Sequence, residues 1–201
     1  MKIGFDVDNV LVDQFNYQMK YGVPYFEKRG ISVKNKYGFD IEDIFECSHA
    51  EREKFWTRYI WRYCLKEPMT KDAADISKQL RKNGHEIVIV TGRAHTTEAG
   101  ITGKLFRWML MHWLKKNHFE YDDIFYCSES NSSDDKLRVC LEQSIDILID
   151  DKPENLTALK NKLKIICYSS PCNQQFEELD SIRVDNMMQL LDKVSLIESG
   201  L

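Results

Sequence analysis

Apolar residues recur along this chain in short continuous runs, separated by stretches with a helical period. Five runs rich in β-branched or aromatic residues predict buried strands: Lys2–Asp6, Glu86–Thr91, Asp123–Cys127, Asp146–Asp150 and Lys164–Tyr168. Helical patterns lie between the later ones. Thr70 is placed to cap a helix whose Ala73, Ile76 and Leu80 share one face, with Asn83-Gly84 closing it. Leu105 to Leu114 predicts a second helix, Ser133 caps a third carrying Leu137 and Leu141, and Pro153 starts a fourth running to about Lys162. Strands alternating with helices imply parallel pairing through right-handed crossovers. The expected fold is therefore α/β, a doubly wound, parallel, five-stranded sheet.

The segment from Phe15 to Met69 breaks this rhythm. It has no buried-strand pattern and is rich in aromatic and charged residues, and Glu51 to Leu65 predicts a helix with Phe55, Tyr59 and Arg62 along one face. An insertion of about 55 residues is too long for an ordinary connection. It is expected to form a mostly helical cap, residues 15–69, over the carboxyl ends of the strands. Residues 1–14 and 70–201 then make the core.

Composition narrows the function. The 201 residues are 43% hydrophobic and 30% charged, with a net charge of −4, which argues against a nucleic-acid polymer as partner. No apolar run approaches the roughly 20 residues that span a bilayer, and the first residues show no leader pattern. A cytoplasmic protein without membrane contact is expected. The six cysteines form no CxxC pair and are expected to be reduced and mostly buried. No oligomeric state can be assigned from the pattern.

Open α/β sheets bind ligands beyond the carboxyl ends of their strands. Strand one ends in Asp6-Val7-Asp8-Asn9, strand two in Thr91-Gly92-Arg93 and strand four in Asp150-Asp151-Lys152. A single acid at such an end is explained as a helix cap. Two acidic pairs are much harder to explain so: if strands one and four are neighbours, the pairs lie about 5 Å apart and repel unless a cation sits among them. An oxygen-rich set of this kind suits Mg²⁺. Thr91 offers a hydroxyl to a phosphate oxygen, and Gly92 lets backbone N–H groups approach the same anion. Lys136, at the start of a helix, opposes the helix dipole unless an anion is bound nearby; its alternative is a solvated surface position. Arg93 either contacts phosphate or pairs with the cap. A small phosphorylated metabolite is the partner this set implies, and the chemistry is phosphoryl transfer.

These residues resemble the haloacid dehalogenase (HAD) superfamily of phosphatases. Phe5-Asp6-Val7-Asp8-Asn9-Val10-Leu11 matches the first motif, Ile87–Thr91 the second, Lys136 the third and Ile149-Asp150-Asp151 the fourth, in the family's order across most of the chain. Val10 stands where many members have threonine. The resemblance implies Asp6 as nucleophile and Asp8 as general acid and base. It places Asp6, the Asp8 backbone carbonyl and Asp150 on the metal, with Asp151 beside them, and makes the insertion a C1-type cap. The short cap and Ile-Asp-Asp-Lys-Pro-Glu-Asn look most like the 5'-nucleotidase, deoxy (pyrimidine) type C family, implying a 5'(3')-deoxyribonucleotidase-like enzyme.

Specificity should come from the cap. Phe39, Phe45, Phe55, Trp56, Tyr59 and Trp61 can stack on a nucleobase or form the cap's own core; Trp108 and Trp113 are expected to be packing residues, and His95 is placed either to line the entrance or to be merely solvated. Two other functions fit less well. One is a phosphatase of a sugar phosphate or other small metabolite. The other is a phosphorylation-dependent signalling module, which also combines acids, Thr and Lys on a parallel sheet. Against the latter, no separate phospho-acceptor aspartate ends a middle strand, and a cap is present.

Overall fold

The computed structural model describes residues 1–129 and 131–200. Strands β1 (Lys2–Phe5), β2 (Glu86–Thr91), β3 (Asp123–Tyr126), β4 (Ile147–Asp150), β5 (Lys164–Tyr168) and β6 (Arg183–Val184) form one all-parallel sheet in the order β3-β2-β1-β4-β5-β6. The five expected strands are present. A sixth is added by the two-residue β6, too short to show a period in sequence.

Alternation along each strand sorts side chains to two faces. Ile3, Phe5, Ile87, Ile89, Ile147 and Ile149 pack with α4 (Ala73–Lys82), α5 (Gly100–Lys116) and α8 (Met187–Glu198), through Leu80, Met109, Trp113 and Leu190. Val88, Val90, Leu148 and Cys167 face α6 (Ser132–Glu142) and α7 (Pro153–Leu159), through Val139, Cys140, Leu156 and Leu159. Gly4 sits at the centre of this layering, where an added Cβ would meet Leu148 Cδ1 at 3.0 Å and Val90 Cγ2 at 3.1 Å.

Helices α1 (Gln14–Glu27), α2 (Ile41–Ile44) and α3 (His49–Lys66) fill the segment between β1 and α4. Each has a side-chain start signal. Asp13 accepts from Asn16 N, Asp40 and Asp43 form a capping box on α2, and Ser48 and Glu51 form one on α3. Phe26, Ile41, Ile44, Phe45 and Phe55 make a separate apolar cluster here, each at most 1% exposed. Burial at that level contributes about 1.5–3 kcal/mol per side chain, so these residues hold the three helices together.

Several expectations need correction. Thr70 does not cap α4: its hydroxyl donates to Val10 O at 2.7 Å, and Asp72, with φ 65°, precedes the helix. Ser133 lies inside α6, whose first residue is Ser132 and whose N-cap is Asn131. Trp113 is buried and donates to Glu67 O, but Trp108 is 51% exposed, so only the first is a packing residue. The six cysteines are free thiols, all buried except the partly exposed Cys47.

Candidate active site

The strand order reverses between β1 and β4, and such a switch point is where an open parallel sheet leaves a crevice. Asp6 N donates to Ile149 O at 2.9 Å, which brings the ends of the two strands together. The carboxylates of Asp6, Asp150 and Asp151 consequently converge, all buried, with one oxygen of each within 4.8 Å of the others. Beyond β1 the chain folds into a tight loop in which Leu11 N and Val12 N both donate to Val7 O. Asn9 takes the left-handed conformation there (φ 58°), which asparagine tolerates, and its Oδ1 accepts from Phe15 N at 2.9 Å.

Lys136 lies in the midst of these acids. It is 1% exposed, so the solvated-surface alternative is excluded, and its Nζ is 2.9 Å from Asp6 Oδ2 and 2.6 Å from Asp150 Oδ2. It is the fifth residue of α6, deeper in the helix than its first turn. Burial alone would favour the neutral amine, but the Asp150 and Asp6 carboxylates outweigh it and hold the ammonium above its ordinary range. One lysine cannot balance three acids. Burial pushes Asp6 up to about 7, with Asp150 and Asp8 adding to the rise against the pull of Lys136. Burial also drives Asp151 well above the usual carboxylate range, reinforced by Asp150 and Asp6.

This excess of buried, hard oxygen donors fits a divalent cation, which would relieve the repulsion and favour the ionised forms. The two acids of β4 differ in what they have left to offer. Asp150 is heavily engaged: Oδ1 accepts from Lys152 N at 2.8 Å, Oδ2 from Lys136, and Asn155 Nδ2 lies within 3.1 Å of both. Asp151 accepts from Ser170 Oγ at 3.2 Å, and its backbone carbonyl is held by Asn173 Nδ2 at 2.8 Å. Asp151 is thus as well placed as Asp150 to reach a cation.

The turn after β2 forms another wall. Thr91 is fully buried, and its hydroxyl accepts from Arg93 N at 3.3 Å, bracing the turn. Gly92 borders the cavity, where an added Cβ would meet Ser132 Oγ at 3.0 Å. The Arg93 side chain packs on the helical segment, its guanidinium 4.7 Å above the Tyr63 ring and Nη2 3.8 Å from Cys64 Sγ. Nη1 of the same group lies 3.7 Å from Asp8 Oδ1 and makes no hydrogen bond among the described residues.

Asp8 is also reached from the helical segment. Tyr63 Oη donates to Asp8 Oδ1 at 2.5 Å. Burial, together with the neighbouring Asp8 charge, keeps the Tyr63 phenol well above its ordinary pKa, so it remains a donor. Tyr63 had no place among the sequence candidates. Its signal was the continuation of the Phe55, Tyr59 spacing by one more turn of α3.

Asp6, Asp8, Gly92, Arg93 and Lys136 open onto a cavity of about 800 Å³, whose opposite wall includes Trp56 and Phe39. Phe45 and Phe55 are buried in the helical segment's core and take no part in that wall. Tyr59 packs beside Phe55 (4.9 Å between ring centroids), and Trp61 lies outward, 6.2 Å from Phe106. His95 lines the cavity beside Phe106, paired with Glu98 at 2.5 Å.

Comparison with known proteins matches this architecture. The model of the family described as 5' nucleotidase, deoxy (pyrimidine), cytosolic type C protein matches residues 1–197. A Bacillus cereus protein named "Putative nucleotidase" is 26% identical over 168 residues, covering 81% of this chain and 82% of its own length. A Clostridium acetobutylicum crystal structure described as a "predicted phosphatase" superposes with a TM-score of 0.64 at 19% identity, covering 96% of this chain and 97% of that one. A β-phosphoglucomutase from Clostridium difficile gives 0.62 at 12% identity, covering 98% of both chains. At these identities the two structures show a shared fold.

Proposed function

The chain belongs to the 5'-nucleotidase, deoxy (pyrimidine), cytosolic type C family of HAD-superfamily phosphatases, and from that premise we propose that it hydrolyses a deoxynucleoside monophosphate through a phosphoaspartate on Asp6. The observation that carries this reading is the buried group of Asp6, Lys136 and the Asp150-Asp151 pair at the sheet's switch point. Asp6 attacks phosphorus, the ester P–O bond breaks, and Asp8 protonates the departing oxygen. Asp8 then takes a proton from the water that attacks the phosphoaspartate, which releases inorganic phosphate and restores Asp6. Mg²⁺ held by Asp6, the Asp8 backbone carbonyl and Asp150 or Asp151 would neutralise charge on the phosphoryl oxygens. Lys136 keeps Asp6 aimed and favours its ionised form, and Gly92 gives the phosphoryl group room to approach the backbone, with Thr91 fixing that turn.

Trp56 and Phe39 on the far wall supply faces on which a base can stack, in a cavity of about 800 Å³. A sugar phosphate remains the second reading, favoured by the polar part of the same wall, where Asp40, Glu42, His49 and Arg52 can meet hydroxyls. A panel of deoxynucleoside monophosphates and sugar phosphates, assayed with Mg²⁺ and with EDTA, separates the two. The account expects metal-dependent turnover of the nucleotides that is lost in Asp6→Asn. Turnover of sugar phosphates alone would remove the nucleotidase reading, and activity surviving in Asp6→Asn would remove the nucleophile.

A further inference from the structure

We propose that Tyr63, from the helical segment, is the positioning residue of the acid: it occupies Asp8 Oδ1 so that the transferable proton sits on Oδ2. This rests on the reading of Asp8 as the group that protonates the leaving oxygen. Two donors converge on Oδ1, the Tyr63 hydroxyl at 2.5 Å and Arg93 Nη1 at 3.7 Å, and among the described residues none bonds Oδ2. A proton on Oδ1 would face both donors. Reversing the Tyr63 bond does not help, because its hydroxyl would then give up the one acceptor it bonds among the described residues. The acid form is therefore left with its proton on the oxygen free to turn toward the cavity.

Tyr63 can perform this task because it is itself immobilised. It is 2% exposed, its ring lies 4.9 Å from Tyr17 and 5.8 Å from Trp56, and the Arg93 guanidinium covers it at 4.7 Å. The hydroxyl is consequently fixed in space by α1, α3 and the turn after β2. In the proton transfer, the Asp8 Oδ2–H bond breaks as the P–O ester bond opens, the P–O electron pair staying with the leaving oxygen that receives the proton. The same Oδ2, now free, accepts the proton of the attacking water in the second half of the cycle. Seen this way, the helical segment does more than cover the substrate, because it sets which oxygen of Asp8 reacts.

The test uses aryl phosphates, so it does not depend on which metabolite is the natural substrate. kcat/KM is measured with Mg²⁺ for p-nitrophenyl phosphate, whose phenolate leaves without help, and for unsubstituted phenyl phosphate, which needs protonation. Wild type, Tyr63→Phe and Asp8→Asn are compared; phenylalanine keeps the packed ring and removes only the hydroxyl. General acid catalysis is worth about 10²–10⁴-fold, so Asp8→Asn should raise the p-nitrophenyl-to-phenyl ratio by about 100-fold or more. Tyr63→Phe should raise it by about tenfold or more, since misplacement of an intact group forfeits part of that factor. If Tyr63→Phe lowers both substrates by one common factor, or neither, while Asp8→Asn shifts the ratio, the positioning role is overturned and the Asp8 assignment stands. If Asp8→Asn itself leaves the ratio where it was, the Asp8 assignment fails and the positioning role with it.

Discussion

Replacing Asp6 by asparagine should stabilise the metal-free protein in a pH-dependent way. Asp6 is 7% exposed, and its carboxyl is raised from 3.8 to about 7 in the fold. Between those values the folded chain keeps a proton that the unfolded chain has released, so stability falls as pH rises through the window. A carboxyl raised from 3.8 to about 7 costs about 4 kcal/mol to ionise fully in the fold. Asp151 is also raised and can exchange a proton with Asp6, which returns part of that cost. Asparagine carries no charge at any pH and keeps the shape. The expected gain over wild type is therefore about 2–4 kcal/mol near pH 8, shrinking towards zero near pH 4. Urea unfolding followed by circular dichroism in EDTA, at several pH values, measures it. A substitution that destabilises the metal-free protein at pH 8, or a gain that does not change with pH, would refute the electrostatic description of the site.

Other expectations follow from the same geometry. Lys136→Met strands three buried carboxylates without a cation and should cost about 3–5 kcal/mol in EDTA, read by the same urea titration. Saturating Mg²⁺, at about 100 times its Kd, should stabilise wild type by about 3 kcal/mol, with tighter apparent affinity at pH 8 than at pH 6 because Asp6 must ionise to bind. Calorimetry in two buffers would detect the accompanying proton release. Gly103→Ala places a Cβ 1.9 Å from Glu98 O, so it should displace the loop between β2 and α5, lower thermal stability and slow phosphate-ester hydrolysis. Gly22→Ala drives a methyl to 2.7 Å from the Phe45 ring and should cost about 1–3 kcal/mol, visible as a lower melting temperature.

The strands β1, β2, β4 and β5 were legible because they are buried on both faces and appear as continuous apolar runs. The acids were legible for a related reason: each pair directly follows such a run, where burial makes a charged side chain conspicuous. Much of the helical segment was opaque. α1 carries Gly22 and Pro24 in its interior, residues that ordinarily end a helix, and tertiary packing around Phe26 overrides them. Thr70 was misplaced because a threonine before a helical pattern resembles a cap, whereas its hydroxyl serves a carbonyl 60 residues earlier in the chain. Lys136 was identified from its place at the start of the helix before β4, but its contact with two strand ends depends on crossover geometry that no local spacing reveals. Tyr63 shows the same limit, since its partner Asp8 is 55 residues away.

The most direct test of the mechanism is to trap the covalent species. Enzyme turning over substrate with Mg²⁺ is quenched in acid, and the peptide containing Asp6 and Asp8 is sequenced by mass spectrometry after borohydride reduction, which converts an acyl phosphate to an alcohol. The account predicts reduction at Asp6 alone, dependent on substrate and absent in Asp6→Asn. Reduction at Asp8, or none at either residue although the enzyme was turning over when it was quenched, would contradict it.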